Sequence, residues 1–401
     1  MLGIRWKPWL LVGPQLPQPD CGENASTRVG MVTHQPFPPD IRIEKEVNSL
    51  CKLGHEVVVF APQNRTAELS EPRFTIVDSG ESMDLRGVLS GRLQKVFGAS
   101  NLDAIHIQDT PGALSALFCA RRLGLPVFYD IHELWTHLVI ENIAAPSASK
   151  RSWWLSLLLD EGATYCNADR VLTVVEEASS YFTRKYHLAP ERIVTIRNFE
   201  SSERFEGVMP DSEVAEGGKY NVTYVGGVDG PIRGLEDVLC AAKLLSSREI
   251  RFNIIGSGSY LPTLRRLAWR LGLNERVRFT GWKDFEHAMG IVAASDLCLL
   301  PHISCVSTEN TLPHKISQYM ALGKPVISSD LGPIRRLFSG AYIPWIPHTP
   351  RRLAELIEEL LRDPEKAQAS AKKGNELFHQ RYQWVGEERK LFRLYETLAI
   401  T

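Results

Sequence analysis

A lysine and a glutamine stand three residues apart in the stretch LPHKISQYMALGKPVISSD, which runs from Leu312 to Asp330. Pro313 suits the first turn of a helix and Gly323 suits its end, so the stretch predicts a short helix followed by a buried strand. Lys315 and Gln318 then share one helix face. Amides at a helix N-terminus attract anions, and with Lys315 beside them they would stabilise a diphosphate without a metal. The alternative is that Lys315 is an ordinary solvated residue.

A second set of polar residues lies in the first half of the chain, where predicted strands end. His132 and Glu133 follow PVFYD, and Asp109 closes AIHIQD. Ligands of open α/β sheets bind outside the carboxyl ends of the strands, so these side chains are expected at a ligand cleft. Asp40 and Arg42, in PPDIR, open the first predicted helix beside the same cleft. Two alternatives stay open: His132 caps the next helix, or Asp109 caps the helix at Pro111.

Short apolar strands alternate with helices along the chain, and this alternation must position both sets of residues. It predicts parallel sheets with right-handed crossovers, and therefore two doubly wound, Rossmann-like α/β domains facing each other across a cleft. The predicted strands of the first half are RVGMVT, EVVVFA, AIHIQD, PVFYD and RVLTV. Those of the second half are NVTYVGG, FNIIGSG, VRFTG, DLCLLP and PVISSD.

The predicted domain organisation has four parts. Residues 1–27 are a loose N-terminal extension, and residues 28–205 form the first domain. The acidic, glycine-containing stretch from Glu200 to Lys219 is expected to be a linker, and residues 219–375 form the second domain. Residues 376–401 are expected to be helices that cross back and pack on the first domain. A length of 401 residues suits two domains with proper cores.

Composition excludes several classes of protein. A net charge of −1 gives no basic field for nucleic acid, so a nucleic-acid partner is not expected. Seven scattered cysteines without a C-x-x-C pair argue against a disulfide framework or a zinc knuckle. No apolar run reaches the roughly 18 residues of a membrane span. We expect a cytoplasmic protein, with peripheral contact at the inner face of the membrane as an additional option.

The order of these segments resembles the retaining glycosyltransferases of family 4, which have the GT-B fold. The resemblance rests on PFPPDIRIEKEVNSLCKLGHEVVVFAP, LDAIHIQD and LPVFYDIHELW in the first half, and on YVGGVDGPIRGLEDVL, IIGSGSYLPTLRRLAWRLGL, VRFTGW and LPHKISQYMALGKPVISSD in the second. It covers roughly Arg28 to Phe338, nearly the whole fold. It implies transfer of a sugar from a nucleotide-diphosphate donor, bound by the second domain, to an acceptor bound by the first.

On the donor side, the resemblance implies roles for seven residues, and this sequence departs from the family at two of them. The family's ribose-binding glutamate falls on Gln318, whose carbonyl can still accept hydrogen bonds. One of the family's two phosphate-binding cations matches Arg233, but the other falls on Gly227. Arg233 as a surface residue and Trp282 as a packing residue remain alternatives. The full set of donor-side candidates is Gly227, Arg233, Gly256, Trp282, Thr311, Lys315 and Gln318.

The resemblance also implies catalytic and acceptor-side residues. The family's other glutamate, near the transferred sugar, falls on Asn310, and Glu309 could replace it if the loop shifts by one residue. His132 matches a family histidine near the donor sugar, where a neutral imidazole could orient a hydroxyl. The catalytic candidates are therefore His132, Glu309 and Asn310. The acceptor-side candidates are Asp40, Arg42, Asp109 and Glu133.

The mechanism implied is a retaining transfer without a metal or other cofactor, since Arg233, Lys315 and helix amides would stabilise the leaving diphosphate and no D-x-D motif occurs. The acceptor could be a glycan, a lipid-linked molecule or a small molecule. Two other functions are kept open: a non-catalytic sugar-nucleotide-binding homologue, because charged family residues are replaced, and a nucleotide-sugar epimerase. Trp153 and Trp154, with Lys150 and Arg151, suggest either membrane contact or packing in the core.

Overall fold

The computed structural model describes residues 26–37, 40–62, 74–78, 92–142, 148–217, 220–247 and 249–396. The predicted extension, residues 1–27, lies almost entirely outside the described residues. By contacts the chain divides into two units. The first comprises Met1–Ile140, Ala145–Arg197 and Val385–Thr401, and the second comprises Glu141–Ala144 and Asn198–Trp384.

The first unit contains a seven-stranded, fully parallel sheet in the order β3-β2-β1-β4-β5-β6-β7. Its strands are β1 (Arg28–Thr33), β2 (Glu56–Ala61), β3 (Phe74–Asp78), β4 (Ala104–Gln108), β5 (Val127–Ile131), β6 (Arg170–Thr173) and β7 (Ile193–Thr195). Its helices are α1 (Ile41–Lys52), α2 (Arg92–Ala99), α3 (Ala113–Arg122), α4 (Trp135–Glu141), α5 (Ala148–Asn167) and α6 (Glu176–Tyr186). The five predicted strands are present, and β3 and β7 are additional.

The second unit contains a six-stranded, fully parallel sheet in the order β10-β9-β8-β11-β12-β13. Its strands are β8 (Tyr220–Val225), β9 (Ile250–Ile255), β10 (Val277–Gly281), β11 (Leu297–Leu300), β12 (Val326–Ser328) and β13 (Ile343–Pro344). Its helices are α7 (Ser212–Gly217), α8 (Leu235–Leu244), α9 (Leu261–Leu271), α10 (Phe285–Ala293), α11 (His314–Ala321), α12 (Gly332–Phe338), α13 (Pro350–Arg362) and α14 (Pro364–Arg381).

Continuous apolar strands explain why both sheets are parallel and covered on both faces. All five residues of β4 and of β5 are buried, and so are all four of β11. Such runs suit strands that carry helices above and below them, since neither face meets water. The predicted α/β class with two doubly wound domains is confirmed.

The last helix, α15 (Trp384–Glu396), packs on the first unit, as the sequence analysis expected of the C-terminal helices. The Tyr395 hydroxyl lies 2.7 Å from Nδ1 of His106 in the centre of the sheet. Ser49 of α1 donates to Glu388, at 2.6 Å. The preceding helix, α14, belongs instead to the second unit, so the chain crosses back at Val385.

The stretch predicted as a linker packs within the second unit. Its helix α7 buries Val214, and the amide of Asp211 donates to the carbonyl of Gly290 at 2.9 Å. Arg204 stacks its guanidinium over the ring of Phe285, at 4.1 Å. The change of unit comes at Asn198, whereas the sequence analysis ended the first domain at residue 205. The stretch has no apolar periodicity of its own, because its partners come from separate elements of the second unit. Its packing could therefore not be predicted from its acidic and small residues.

Candidate active site

In the second unit, several candidate donor residues gather at the carboxyl ends of three neighbouring strands. Gly226 and Gly227 follow β8, Gly256 follows β9, and Trp282 follows β10. The amide of Gly256 donates to the carbonyl of Gly281 at 2.8 Å, which joins two of these ends. A side chain at Gly256 would overlap the carbonyl oxygen of Gly226, so close approach of the two loops requires glycine there.

Lys315 is the central cation of this cluster and is 8% exposed, so the alternative of a solvated residue is wrong. Its ammonium donates to the Tyr224 hydroxyl at 3.1 Å and to Nε2 of His302 at 3.3 Å. It also lies 4.5 Å from the centre of the Tyr224 ring, a cation–π distance. A β-carbon added to Gly226 would come within 2.5 Å of Nζ. The ammonium is therefore fixed beside the Gly226–Gly227 loop.

His302 and Tyr224 are two members of this cluster that the sequence analysis missed. His302 is fully buried and follows β11, and the Tyr224 hydroxyl donates to the carbonyl of Gly227 at 2.8 Å. Burial, followed by the charges of Lys315 and Arg233, lowers the pKa of His302 well below its usual value. Both predicted cations therefore act on one neutral imidazole. A histidine directly after a buried strand was the available signal.

Arg233 lies at the end of a single 3-10 turn, Pro231–Arg233, just before α8. Gly234 follows it with φ +66°, and a side chain there would overlap the carbonyl of Pro301. This close backbone contact holds the turn against the segment that carries His302. Trp282 is 65% exposed, so it is not a core residue of its unit.

The loop before α11 carries Glu309, Asn310 and Thr311. The side chains of Glu309 and Asn310 form hydrogen bonds with neighbouring residues of the second unit. Glu309 accepts from the amide of Gly332 at 2.6 Å and from the Ser304 hydroxyl at 2.5 Å. Asn310 donates to the carbonyl of Val306 at 2.8 Å. The Glu309 carboxylate therefore fixes the start of α12.

Gln318 is buried one helical turn after Lys315 on α11. Its Nε2 donates to Oε1 of Glu200 at 2.9 Å. Glu200 is fully buried and also accepts from Arg204 at 3.2 Å. Glu200 lies in the stretch predicted as a linker, so no sequence pattern indicated it as a partner of Gln318.

In the first unit, His132 lies with several polar groups at the carboxyl ends of β1, β4 and β5. Its Nε2 donates to Oε1 of Gln108 at 2.8 Å and lies 3.5 Å from Asp130. Burial lowers the pKa of His132, but the Asp130 carboxylate outweighs it and raises that pKa to about 9. The buried anion thus favours the imidazolium over the neutral imidazole that the resemblance implied.

Two more residues stand beside His132. Asp109 has φ +70°, a strained conformation of the kind that collects at functional sites, and burial raises its pKa to about 7 against the opposing charge of His132. His34, which follows β1 and was missed, has its pKa lowered to about 4 by burial and by His132. Asp109 does not cap the next helix, since Gly112 is the N-cap of α3. Glu133, half-buried, adds a charge that raises the pKa of Asp109.

Asp40 and Arg42 have structural roles in this unit. Asp40 caps α1, accepting from the amides of Arg42 and Ile43 at 3.0 and 3.1 Å. Arg42 is 1% exposed, and its Nε and Nη2 donate to the two oxygens of Asp130 at 2.8 and 2.9 Å. The prediction that Arg42 contacts the acceptor is wrong, because its guanidinium is enclosed within the first unit.

Glu46, His106 and Asp130 form a buried group with metal-ligand atoms close together. Arg42 already supplies the cation, lying 3.2 Å from Glu46 and bonding both oxygens of Asp130. Gln108 donates to Glu46 at 2.8 Å. The donor set therefore fits an internal ion-pair network better than a metal centre.

The chain matches two family models over most of its length. The model described as Glycosyltransferase Family 4 covers residues 42–203, and the model described as Glycosyl transferases group 1 covers residues 219–363. Each match coincides largely with one of the two units.

Curated relatives and solved structures agree with the family models. The chain is 25% identical to an alpha-D-kanosaminyltransferase of Streptomyces kanamyceticus, over 94% of this chain and 97% of the relative. It is 22% identical to a phosphatidyl-myo-inositol mannosyltransferase of Mycobacterium leprae, over 93% of this chain and 97% of the relative. Anabaena HepE, solved with UDP-glucose, superposes with a TM-score of 0.74 at 15% identity, over 92% of this chain and 100% of that one. The chain belongs to glycosyltransferase family 4 and has the GT-B fold.

Proposed function

We propose that the protein transfers a sugar from a nucleoside-diphosphate donor to an acceptor hydroxyl with retention of anomeric configuration, in glycan or glycolipid biosynthesis. The observation that carries the proposal is the fixed ammonium of Lys315 beside the Gly226–Gly227 loop. A buried cation of this kind stabilises negative charge more strongly than an exposed one, since little water screens it. A UDP-glucose complex of a structural neighbour supports a nucleotide-sugar donor.

The second unit would bind the diphosphate and stabilise it as it leaves. The bond between the anomeric carbon and the diphosphate oxygen breaks, and its electron pair leaves with the diphosphate. Lys315 and Arg233 would balance the charge that develops there, so we propose that no metal or other cofactor takes part. The acceptor oxygen bonds to the anomeric carbon on the same face, and its proton passes to the departing phosphate oxygen.

The first unit would serve the acceptor, through Asp109, Glu133 and His132. With its pKa raised to about 9, His132 would be an imidazolium at neutral pH and would donate hydrogen bonds instead of acting as a base. Gln108 and Asp130 fix its orientation. Asp40 and Arg42 would contribute indirectly, by holding α1 and the Asp130 carboxylate.

The test is a thermal-shift screen of UDP-, GDP-, ADP- and dTDP-sugars followed by turnover assays in EDTA. We expect one donor class to raise Tm through binding to the native state, and an α-linked donor to give an α-linked product by NMR. Inversion, or strict dependence on an added divalent ion, would contradict the corresponding part of the proposal. Donor binding without transfer to any acceptor would favour a non-catalytic homologue, and donor conversion without an acceptor would favour an epimerase.

We also propose peripheral contact with an anionic bilayer through residues 150–159 of α5. Trp153 is 45% exposed, and Leu155 and Leu159 are 55% and 52% exposed. Trp154, by contrast, is half-buried and donates to the carbonyl of Thr136 at 2.8 Å, so the alternative of packing applies to Trp154 and not to Trp153. Lys150 and Arg151 lie on the exposed N-terminal turns of the same helix. Exposed aromatic and aliphatic groups beside cations suit a headgroup interface. In the described part of the chain, no helix combines the length and apolarity that crossing a bilayer would require.

Replacing Lys150 and Arg151 together by glutamate is expected to weaken binding to vesicles containing phosphatidylglycerol about tenfold or more, because each cation near an anionic surface contributes about 1 kcal/mol. Co-sedimentation measures the change. Trp153→Ser should also weaken vesicle binding, and Leu244→Ser, which alters an exposed leucine of the second unit, is its matched control. Equal binding by the charge-reversed and native proteins would refute the contact.

A further inference from the structure

The pair formed by Gln318 and Glu200 determines which way the Gln318 amide points. An ionised carboxylate has only acceptor oxygens, so Glu200 must receive the Nε2–H of Gln318, as the 2.9 Å distance shows. Arg204, 3.2 Å from the other Glu200 oxygen, favours the ionised form of that carboxylate. Oε1 of Gln318 is then directed away from Glu200 as an acceptor.

We infer that Glu200 is a positioning residue, which holds Gln318 as an acceptor for a ribose hydroxyl of the donor nucleotide. This inference rests on the proposed function. Lys315 and Gln318 lie three residues apart on α11 and share one face. If the diphosphate binds at Lys315, the part of the ligand attached to the diphosphate lies next to Gln318. In a nucleoside diphosphate, that part on the nucleoside side is the ribose.

The single negative charge of the pair therefore resides at Glu200 instead of at position 318, where the family resemblance expects a glutamate. Gln318 is a compensated replacement and not a damaged site. Restoring glutamate at 318 would put two buried carboxylates within hydrogen-bond distance, and one of them would have to take up a proton. The family-like substitution is thus harmful in this chain.

The backbone supports this arrangement independently of the side chains. The carbonyl of Glu200 accepts from the amide of Trp384 at 3.0 Å, at the point where the chain leaves the second unit. Glu200 itself is fully buried, so it cannot contact the donor directly. Its influence on the nucleotide must pass through Gln318.

A reciprocal exchange tests the pair. Q318E should lower Tm relative to the native protein at the same pH, with a larger deficit at about pH 8 than at about pH 5, since protonation of one carboxyl relieves the repulsion at low pH. Arg204 and His314, whose Nδ1 lies 4.0 Å from Oε1 of Glu200, also face the pair, and both are present in the native reference. Adding E200Q should restore most of the lost Tm, because the amide and the carboxylate are then simply exchanged. If the double variant is no more stable than Q318E alone, the two side chains are not coupled and the contact is overturned.

The ligand part is tested by nucleotide discrimination. Whichever of UDP and GDP binds more tightly in calorimetry is compared with its 2′-deoxy and 3′-deoxy counterparts. E200A should reduce the preference for the ribonucleotide about fivefold or more, because the released amide no longer presents its oxygen. An unchanged preference would overturn the positioning role while leaving the proposed function intact. Failure of both nucleotides to bind would overturn the proposed function and the ribose assignment, whereas the Tm cycle would still report on the pair.

Discussion

Replacing Lys315 by methionine is expected to lower kcat/KM for the nucleotide-sugar donor by about 10²–10³-fold, because a buried cation aimed at a leaving phosphate acts mainly in the transition state. The methionine side chain keeps the aliphatic stem against Tyr224 but loses the charge. Tm should stay level or rise, since a desolvated ammonium is removed from a buried position. The two readouts separate a chemical role from a structural one.

Lys315→Arg is expected to restore little of this activity. The ammonium packs so closely on the Gly226 backbone that a β-carbon there would come within 2.5 Å of Nζ. We expect the larger, planar guanidinium not to fit in the same place. Lys243→Met, at an exposed position of α8, is the matched control and should behave like the native protein. Near-native turnover by Lys315→Met would contradict the assignment of the diphosphate to this cluster.

Replacing Arg42 by methionine should produce the largest loss of stability, about 3–5 kcal/mol of unfolding free energy, because it breaks the buried ion pair in which the guanidinium bonds both oxygens of Asp130. Arg42 holds both Asp130 oxygens, and its Nη1 also donates to the carbonyl of Ile196 at 3.0 Å. Urea denaturation followed by circular dichroism measures the loss.

Two further variants make the Arg42 result specific. Adding Asp130→Asn removes the buried carboxylate that has lost its guanidinium partner and should recover part of the lost stability. Arg28→Met breaks a pair with Glu56 whose side chains are 41% and 51% exposed, so its cost should stay below about 1 kcal/mol. Equal costs for Arg42→Met and Arg28→Met would show that burial does not govern the network.

The two units differ in how much of their chemistry could be predicted from sequence. In the second unit, Lys315 and Gln318 could be placed on one helix face, because i and i+3 neighbours follow from helical geometry alone. In the first unit, Arg42 was expected near the acceptor and is instead enclosed. Its partner Asp130 is 88 residues away, and no local pattern connects a helix start with the end of a strand at that distance.

The charge state of His132 could not be predicted from sequence either, because its pKa depends on residues that are distant along the chain. Its position after β5 followed from the apolar run before it. Its pKa depends on Asp130, Gln108 and Arg42, which come from three different elements. A pKa is set by the sum of desolvation and all nearby charges, so it requires the assembled sheet.

The sequence by itself determined the α/β class, the alternation of strands and helices, and the residues that end each strand, because these depend on local periodicity and on glycine and proline chemistry. Only the tertiary structure decided the partners: Tyr224 and His302 for Lys315, Glu200 for Gln318, and Tyr395 for His106. These pairs span 91, 13, 118 and 289 residues. Strand order and register bring such residues together, and side-chain hydrogen bonds and charges then act over a few ångströms of space, whatever the distance along the chain.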